Sequence, residues 1–240
     1  MNNRYISEKC FVLKRQLHKE NDARLILYGA EMGKFFVIAR GLEKATSKLS
    51  ALLDCGNYVE ITFVEGKNAN IMTSCTQIDG FIKRFEGHEA LLTSAYLCDL
   101  LDATTENGMA QKEVFALFEK MQTSLDDHCY REVRLYFEWH YLALLGYSDA
   151  TLRTLETTLA NVWKSERFSP KQQAVLDEAW SYFSCNNIYL CALSKGCAET
   201  LERALEKIYQ QQLDIKLRSQ KILDDVVYNS VSRTLDNRKN

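Results

Sequence analysis

Hydrophobic and polar positions along the chain fall into two regimes. Over residues 8–79 they alternate in short runs, and from residue 88 onward they recur with a helical period. In residues 9–17, Phe11, Leu13 and Leu17 share one parity, the alternation of a half-buried strand. Residues 23–28 and 34–40 are apolar stretches joined by Ala30-Glu31-Met32-Gly33, a link of hairpin length. Val59, Ile61 and Phe63 alternate with Glu60 and Thr62, and the turn Glu65-Gly66-Lys67-Asn68 leads into a fifth run over residues 71–78. Between the third and fourth runs lie residues 41–56, whose Leu49, Leu52 and Leu53 predict a short helix. Five strands with such an insert before the fourth predict a small closed barrel of OB type.

The second regime is α-helical. Leu91, Ala95 and Cys98 stand at i, i+4 and i+7, as do Val114, Phe118 and Met121. Residues 133–145 are apolar all round (Val133, Leu135, Tyr136, Phe137, Trp139, Tyr141, Leu142, Leu144), which predicts a helix at the centre of a bundle. Leu152, Leu155, Leu159 and Val162 form another stripe. Ser169-Pro170-Lys171-Gln172 is a start signal, with Ser as N-cap, Pro at the first position and Gln closing the box. Leu201, Leu205 and Ile208 define a later helix, Ile222 and Val226 a last one, and residues 233–240 read as a frayed polar tail. The fold class is therefore α+β: an N-terminal five-stranded barrel over residues 1–80, then an all-α domain over 81–240.

Composition agrees with this division. Of ten glycines seven lie at or before Gly87, and Pro170 is the one proline, which suits a turn-rich first third and long helices after it. The net charge of −2 excludes an overall cationic coat, yet residues 1–80 hold eleven Lys/Arg against nine Asp/Glu, so a polyanion should meet the barrel. The longest apolar run, residues 188–193, is six residues, far short of the roughly 20 that a membrane helix needs. MNNRYISEKC lacks the apolar core of a secretory signal, so a cytoplasmic location with eight reduced cysteines is expected.

Familiar catalytic signatures are missing: the sequence has no GxxxxGK, GxGxxG, GxSxG or HExxH. His18, His88, His128 and His140 are scattered. Cys185, Cys191 and Cys197 recur every six residues, which turns a helical side chain through roughly 240°, so buried apolar thiols are expected there rather than metal ligands. The basic residues of the barrel say more. Lys14 and Arg15 end the first strand, Arg24 opens the second, Lys34 opens the third, and Arg40, Lys44 and Lys48 follow it. If the insert is helical, four-residue spacing places Lys44 and Lys48 on one side. The alternative is a solvated face neutralised by Glu43 and Glu60. Tyr28, Phe35 and Phe36 are expected in the core rather than as base-stacking platforms, although OB barrels do stack bases on exposed aromatics.

An ordered set of segments carries a resemblance. Glu20-Asn21-Asp22, Gly33-Lys34, Ile38-Ala39-Arg40-Gly41 and Ser47-Lys48-Leu49 resemble, in order and spacing, the RecO family of recombination mediators. Phe137-Glu138-Trp139 with Leu144-Leu145-Gly146-Tyr147 looks like that family's central helix, and Leu217-Arg218-Ser219 with Ile222-Leu223 like a later one. The stretch 148–167 holds no cysteine where many members carry a four-cysteine zinc module, so no zinc is expected.

The resemblance implies a non-enzymatic, nucleoid-associated bacterial protein that binds single- and double-stranded DNA and anneals complementary strands. It also implies contacts with RecR and with the C-terminal tail of single-strand-binding protein, to help load RecA. Phosphate neutralisation then falls to Arg24, Lys34, Arg40, Lys44, Lys48, Lys14 and Arg15. An acidic apolar tail needs an apolar groove with a cation at its rim, and Arg131 and Arg134 flank the start of the central helix. The second reading is a structural adaptor that binds only proteins. An enzyme ranks third.

Overall fold

Alternation of apolar residues closes the first five strands on themselves. In the computed structural model they are β1 (Tyr5–His18), β2 (Asp22–Gly29), β3 (Gly33–Ala39), β4 (Tyr58–Val64) and β5 (Asn70–Asp79). They form a closed barrel in the order β1-β2-β3-β5-β4, as expected for an OB-type fold. All pairs are antiparallel except β3 with β5, where Val37 lies opposite Asn70 and Ile38 opposite Ile71. The interior is filled by Val12, Leu25, Leu27, Val37, Val59, Ile61 and Phe63, all fully buried. The structure describes residues 4–79, 88–125, 129–185 and 193–213. The expected helix at Ile222 and Val226, the segment from Leu217, the polar tail and Cys191 lie outside them.

A bulge at Leu13 changes the reading of β1. The partner of Val12 is Leu27 and that of Lys14 is Ile26, so Leu13 is an extra residue. Before it, Phe11 faces outward and stacks on Tyr58 at 4.5 Å, with Phe118 edge-on at 5.0 Å. After it the parity is reversed. Leu17 lies opposite Ala23, in the part of β1 beyond its pairing with β4, and is 73% exposed, not buried with Phe11 as the alternation predicts.

The insert differs too. Its helix is a single 3-10 turn, Ser50–Leu53, with Leu53 buried in the barrel core. Lys44 and Lys48 precede that turn and share no helix face. At the other end of the barrel the β2–β3 hairpin is tied by Glu8, whose Oε1 accepts from the backbone N–H groups of Glu31 (3.0 Å) and Met32 (3.3 Å).

Two compact units divide the chain. The first includes the barrel, α1 (His88–Thr104) and α2 (Lys112–Ser124) up to Gln122, well beyond the residue-80 boundary read from periodicity. Its two helices cover the barrel's outer apolar residues, as Phe11 against Phe118 illustrates. The second unit starts at Thr123 and holds α3 (Tyr130–Leu144), α4 (Leu152–Trp163), α5 (Pro170–Phe183) and α6 (Lys195–Leu213).

As its composition predicts, α3 is the buried helix of the second unit, with Val133, Leu135, Phe137, Trp139, Tyr141 and Leu142 at 0–1% exposure. It ends in a Schellman motif. Gly146 (φ 80°) donates to the Ala143 carbonyl at 3.0 Å, and Tyr147 to that of Leu142 at 2.9 Å. The box at α5 forms as read: Ser169 Oγ accepts from the Gln172 N–H at 3.4 Å, and Gln172 Oε1 from the Ser169 N–H at 2.9 Å. Among the described residues no helix is long and apolar enough to cross a membrane.

Candidate nucleic-acid interface

Seven barrel cations are expected at a DNA-facing edge, and the fold separates them into two groups. Three are held by carboxylates. The reversed parity after the bulge carries Arg15 to the end of the barrel, beneath the insert. Its Nε and Nη2 donate to the two Glu43 oxygens at 2.7 and 2.8 Å, and its Nη1 to the Ser50 carbonyl at 3.0 Å and Asp54 at 3.3 Å. These hydrogen bonds hold the Glu43 carboxyl below its ordinary range and raise the Arg15 guanidinium.

Lys14, on the outer side, meets Asp102 of α1 at 3.6 Å and Asp99 at 3.9 Å. Lys34 Nζ donates to the Asp102 carbonyl at 2.6 Å, in the last turn of α1, where the helix dipole favours a cation. Arg15 and Lys34 therefore fasten other elements to the barrel, and Lys14 is partly neutralised.

The second group carries no ion pair among the described residues. Arg40 and Lys44 are exposed and line an open depression of about 530 Å³ with Lys19, Glu20, Asn21, Asp22 and Gly41. Two hydrogen bonds bring these segments together: Gly41 N–H to Asp22 Oδ1 at 2.8 Å, and Glu43 N–H to the Asn21 carbonyl at 3.0 Å. Lys48 is also exposed, further along the insert. Lys19 joins these cations although no local pattern in the sequence marks it. It sits in the β1–β2 turn at φ 57°, and only the closure of that turn onto Gly41 sets it beside Arg40.

Arg24 lies between the groups. Its guanidinium carbon is 4.3 Å from the centre of the Phe36 ring, and its Nε is buried without a hydrogen-bond partner. Tyr28 and Phe35 are buried as expected, at 0% and 6% exposure. Phe36 departs from that expectation: it is half-buried on the outer face, outside the barrel core.

In the second unit both predicted rim cations are engaged by carboxylates. Arg131 forms a bidentate pair with Glu202 of α6, at 2.7 and 2.6 Å. Arg134 is buried and donates through Nε to Glu138 at 2.9 Å, one turn along α3. Helical spacing identifies both as near the helix start but carries no information about Glu202, 71 residues away from Arg131. Instead, a cavity of about 760 Å³ opens beside α3, α4 and α6, with Trp139, Leu142, Val162 and Ile208 as apolar lining and Arg153 and Lys207 as cations. The Trp139 indole N–H has no hydrogen-bond partner. Asp149 also lines this cavity, its carboxyl held low by the hydroxyls of Thr154 and Thr151.

Among the described residues no three His, Cys, Asp or Glu side chains are grouped as a metal site. Cys197 is buried, and desolvation pushes its thiol up to about 12.

Comparison with known proteins bears on both units. The family model described as recombination protein O N terminal matches residues 1–81, and recombination protein O C terminal matches residues 88–149. A DNA repair protein RecO of Syntrophomonas wolfei is 28% identical over 145 residues, 60% of this chain and 58% of that protein. One of Listeria welshimeri is 21% identical over 241 residues, 91% of this chain and 94% of that protein. One of Clostridium acetobutylicum is 33% identical over 110 residues, 45% of this chain and 43% of that protein. The chain thus spans a little over half of the first relative and nearly all of the second. With both family models matched in order on a closed five-stranded barrel and the helices that follow it, the chain belongs to the recombination protein O (RecO) family.

Proposed function

We propose that this protein is a DNA-repair mediator without catalytic activity, whose barrel binds single- and double-stranded DNA along the Lys19–Arg40–Lys44–Lys48 edge and anneals complementary strands. The observation that carries this reading is the cluster of unpaired cations around one open depression, in a chain whose relatives are named DNA repair proteins. Paired lysines and arginines gain little from meeting a phosphate, because the carboxylate must first be released. Unpaired ones displace condensed counterions from the polyanion, and that release drives binding. The contact is largely independent of base sequence, as annealing requires. Titrating a short single strand and a duplex over a salt series tests it: affinity should fall log-linearly with salt.

We also place the partner surface anew. The acidic, apolar tail of single-strand-binding protein suits the cavity beside Trp139, where Leu142 and Ile208 offer apolar contact and Arg153 and Lys207 offer charge. RecR binding and RecA loading complete the proposed role, as the family resemblance implies.

The adaptor reading keeps one supporting observation. Lys14, Arg15 and Lys34 are all engaged by carboxylates, which reduces the positive edge. It predicts no DNA binding at any salt concentration.

A further inference from the structure

We infer that the Arg24–Phe36 pair is a stacking platform for one unpaired base, so that the barrel discriminates single strands from duplex. The inference rests on the reading that the barrel binds DNA and adds to it a group that distinguishes one form of DNA from the other.

Three observations support it. The guanidinium lies over the Phe36 ring, its carbon 4.3 Å from the ring centre, instead of reaching a carboxylate as Arg15 does. Phe36 is one of the barrel's few aromatic rings left half-buried on the outer face, whereas Tyr28 and Phe35 are buried. The pair also adjoins the unpaired cations: Arg24 lies opposite Ile38 of β3, Phe36 is two residues before Ile38, and Arg40 follows directly after the end of that strand. At about 3.3 Å per residue the level of Arg24 is about 7 Å and that of Phe36 about 13 Å from Arg40, so a DNA strand whose phosphates meet Arg40 can run on across the pair.

The chemistry is that of a π-face. A planar guanidinium backed by an aromatic ring presents a flat, delocalised surface to a base, a contact that any of the bases can make. Phe36 holds that plane in place, and the Nε is buried without a hydrogen-bond partner that would tie the group elsewhere. Bases inside a duplex are already stacked on one another and offer no free face, so the platform adds affinity for single strands only.

The test separates bases from phosphates. Fluorescence anisotropy compares a twelve-residue oligothymidylate with a strand of the same length whose residues are abasic, which keeps the phosphates and removes the bases. The wild-type protein should bind the base-bearing strand about tenfold more tightly. Arg24→Lys keeps the charge but loses the plane, and Phe36→Leu keeps much of the volume but loses the ring. Each should bring the ratio near one, whereas Phe36→Tyr should retain it. Thermal melts by circular dichroism establish that the variants are folded. Equal binding of the two strands by the wild type overturns the platform while leaving phosphate binding intact, as does an unchanged ratio in both Arg24→Lys and Phe36→Leu. Absence of binding to either strand at any salt overturns the DNA-binding reading, and the platform with it.

Discussion

Arg15 and Glu43, 28 residues apart, are joined by two parallel charge-assisted hydrogen bonds of 2.7 and 2.8 Å. The pair fastens the β3–β4 insert to the end of β1, and it turns a cation expected to face DNA into a structural clamp. A guanidinium fork matches a carboxylate in this way, and a lysine could not reproduce the geometry.

The clamp predicts an acid dependence. Hydrogen bonding to Arg15 places the Glu43 carboxyl below its ordinary 4.5. A depressed carboxylate contributes stability that is fully present above the unfolded value and is lost as pH falls through the folded one. Urea midpoints from pH 7 to pH 3 should therefore fall less steeply below pH 4.5 in Glu43→Gln than in the wild type. Parallel acid limbs would show that the pair contributes nothing to the fold.

Salt dependence distinguishes the two groups of cations. Four phosphate contacts at about −0.7 each give a log–log slope of roughly −3 on single strands. Replacing Lys19, Arg40 and Lys44 together by alanine should flatten it by about two units and slow strand annealing. Lys14→Ala should leave the slope near its original value, since Lys14 faces Asp99 and Asp102. A triple variant that is folded yet keeps the full slope would remove this edge from the interface.

Two glycines with left-handed backbones should respond differently to alanine. At Gly33 (φ +64°) a Cβ would stand 2.2 Å from the Met109 carbonyl oxygen, whereas at Gly146 (φ +80°) nothing lies within 4 Å. Gly146→Ala should cost about 1 kcal/mol from backbone strain alone. Gly33→Ala adds overpacking against main chain and should cost about 3 kcal/mol. Denaturant titration measures both, and equal losses would contradict the close approach.

The cavity and the buried ion pair also make opposite predictions. Arg153→Glu with Lys207→Glu should weaken binding of an acidic tail peptide at least about tenfold while sparing the fold. Arg134→Ala removes the buried 2.9 Å pair with Glu138 and should lower stability, with peptide affinity unchanged. Calorimetry with the peptide and a thermal melt of each variant check the pair of effects. Unchanged peptide affinity in the folded double variant would exclude the cavity.

The sequence by itself determined the five strands, the main helices among the described residues and their order. The alternation of β4, the all-round apolar surface of α3 and the Ser169–Gln172 box depend on neighbours within a few residues, so spacing and residue type suffice to place them. The tertiary structure decided which charged side chains are available. Arg15 meets Glu43 over 28 residues, Lys34 meets Asp102 over 68, and Arg131 meets Glu202 over 71. No local period encodes such meetings. A single extra residue at Leu13 is enough to reverse which side of β1 each later residue faces, so that Lys14 meets α1 and Arg15 meets the insert. Lys19 and Arg40 come together for the complementary reason: the β1–β2 turn folds back onto Gly41, and a contact made by chain closure leaves no trace in the residues between.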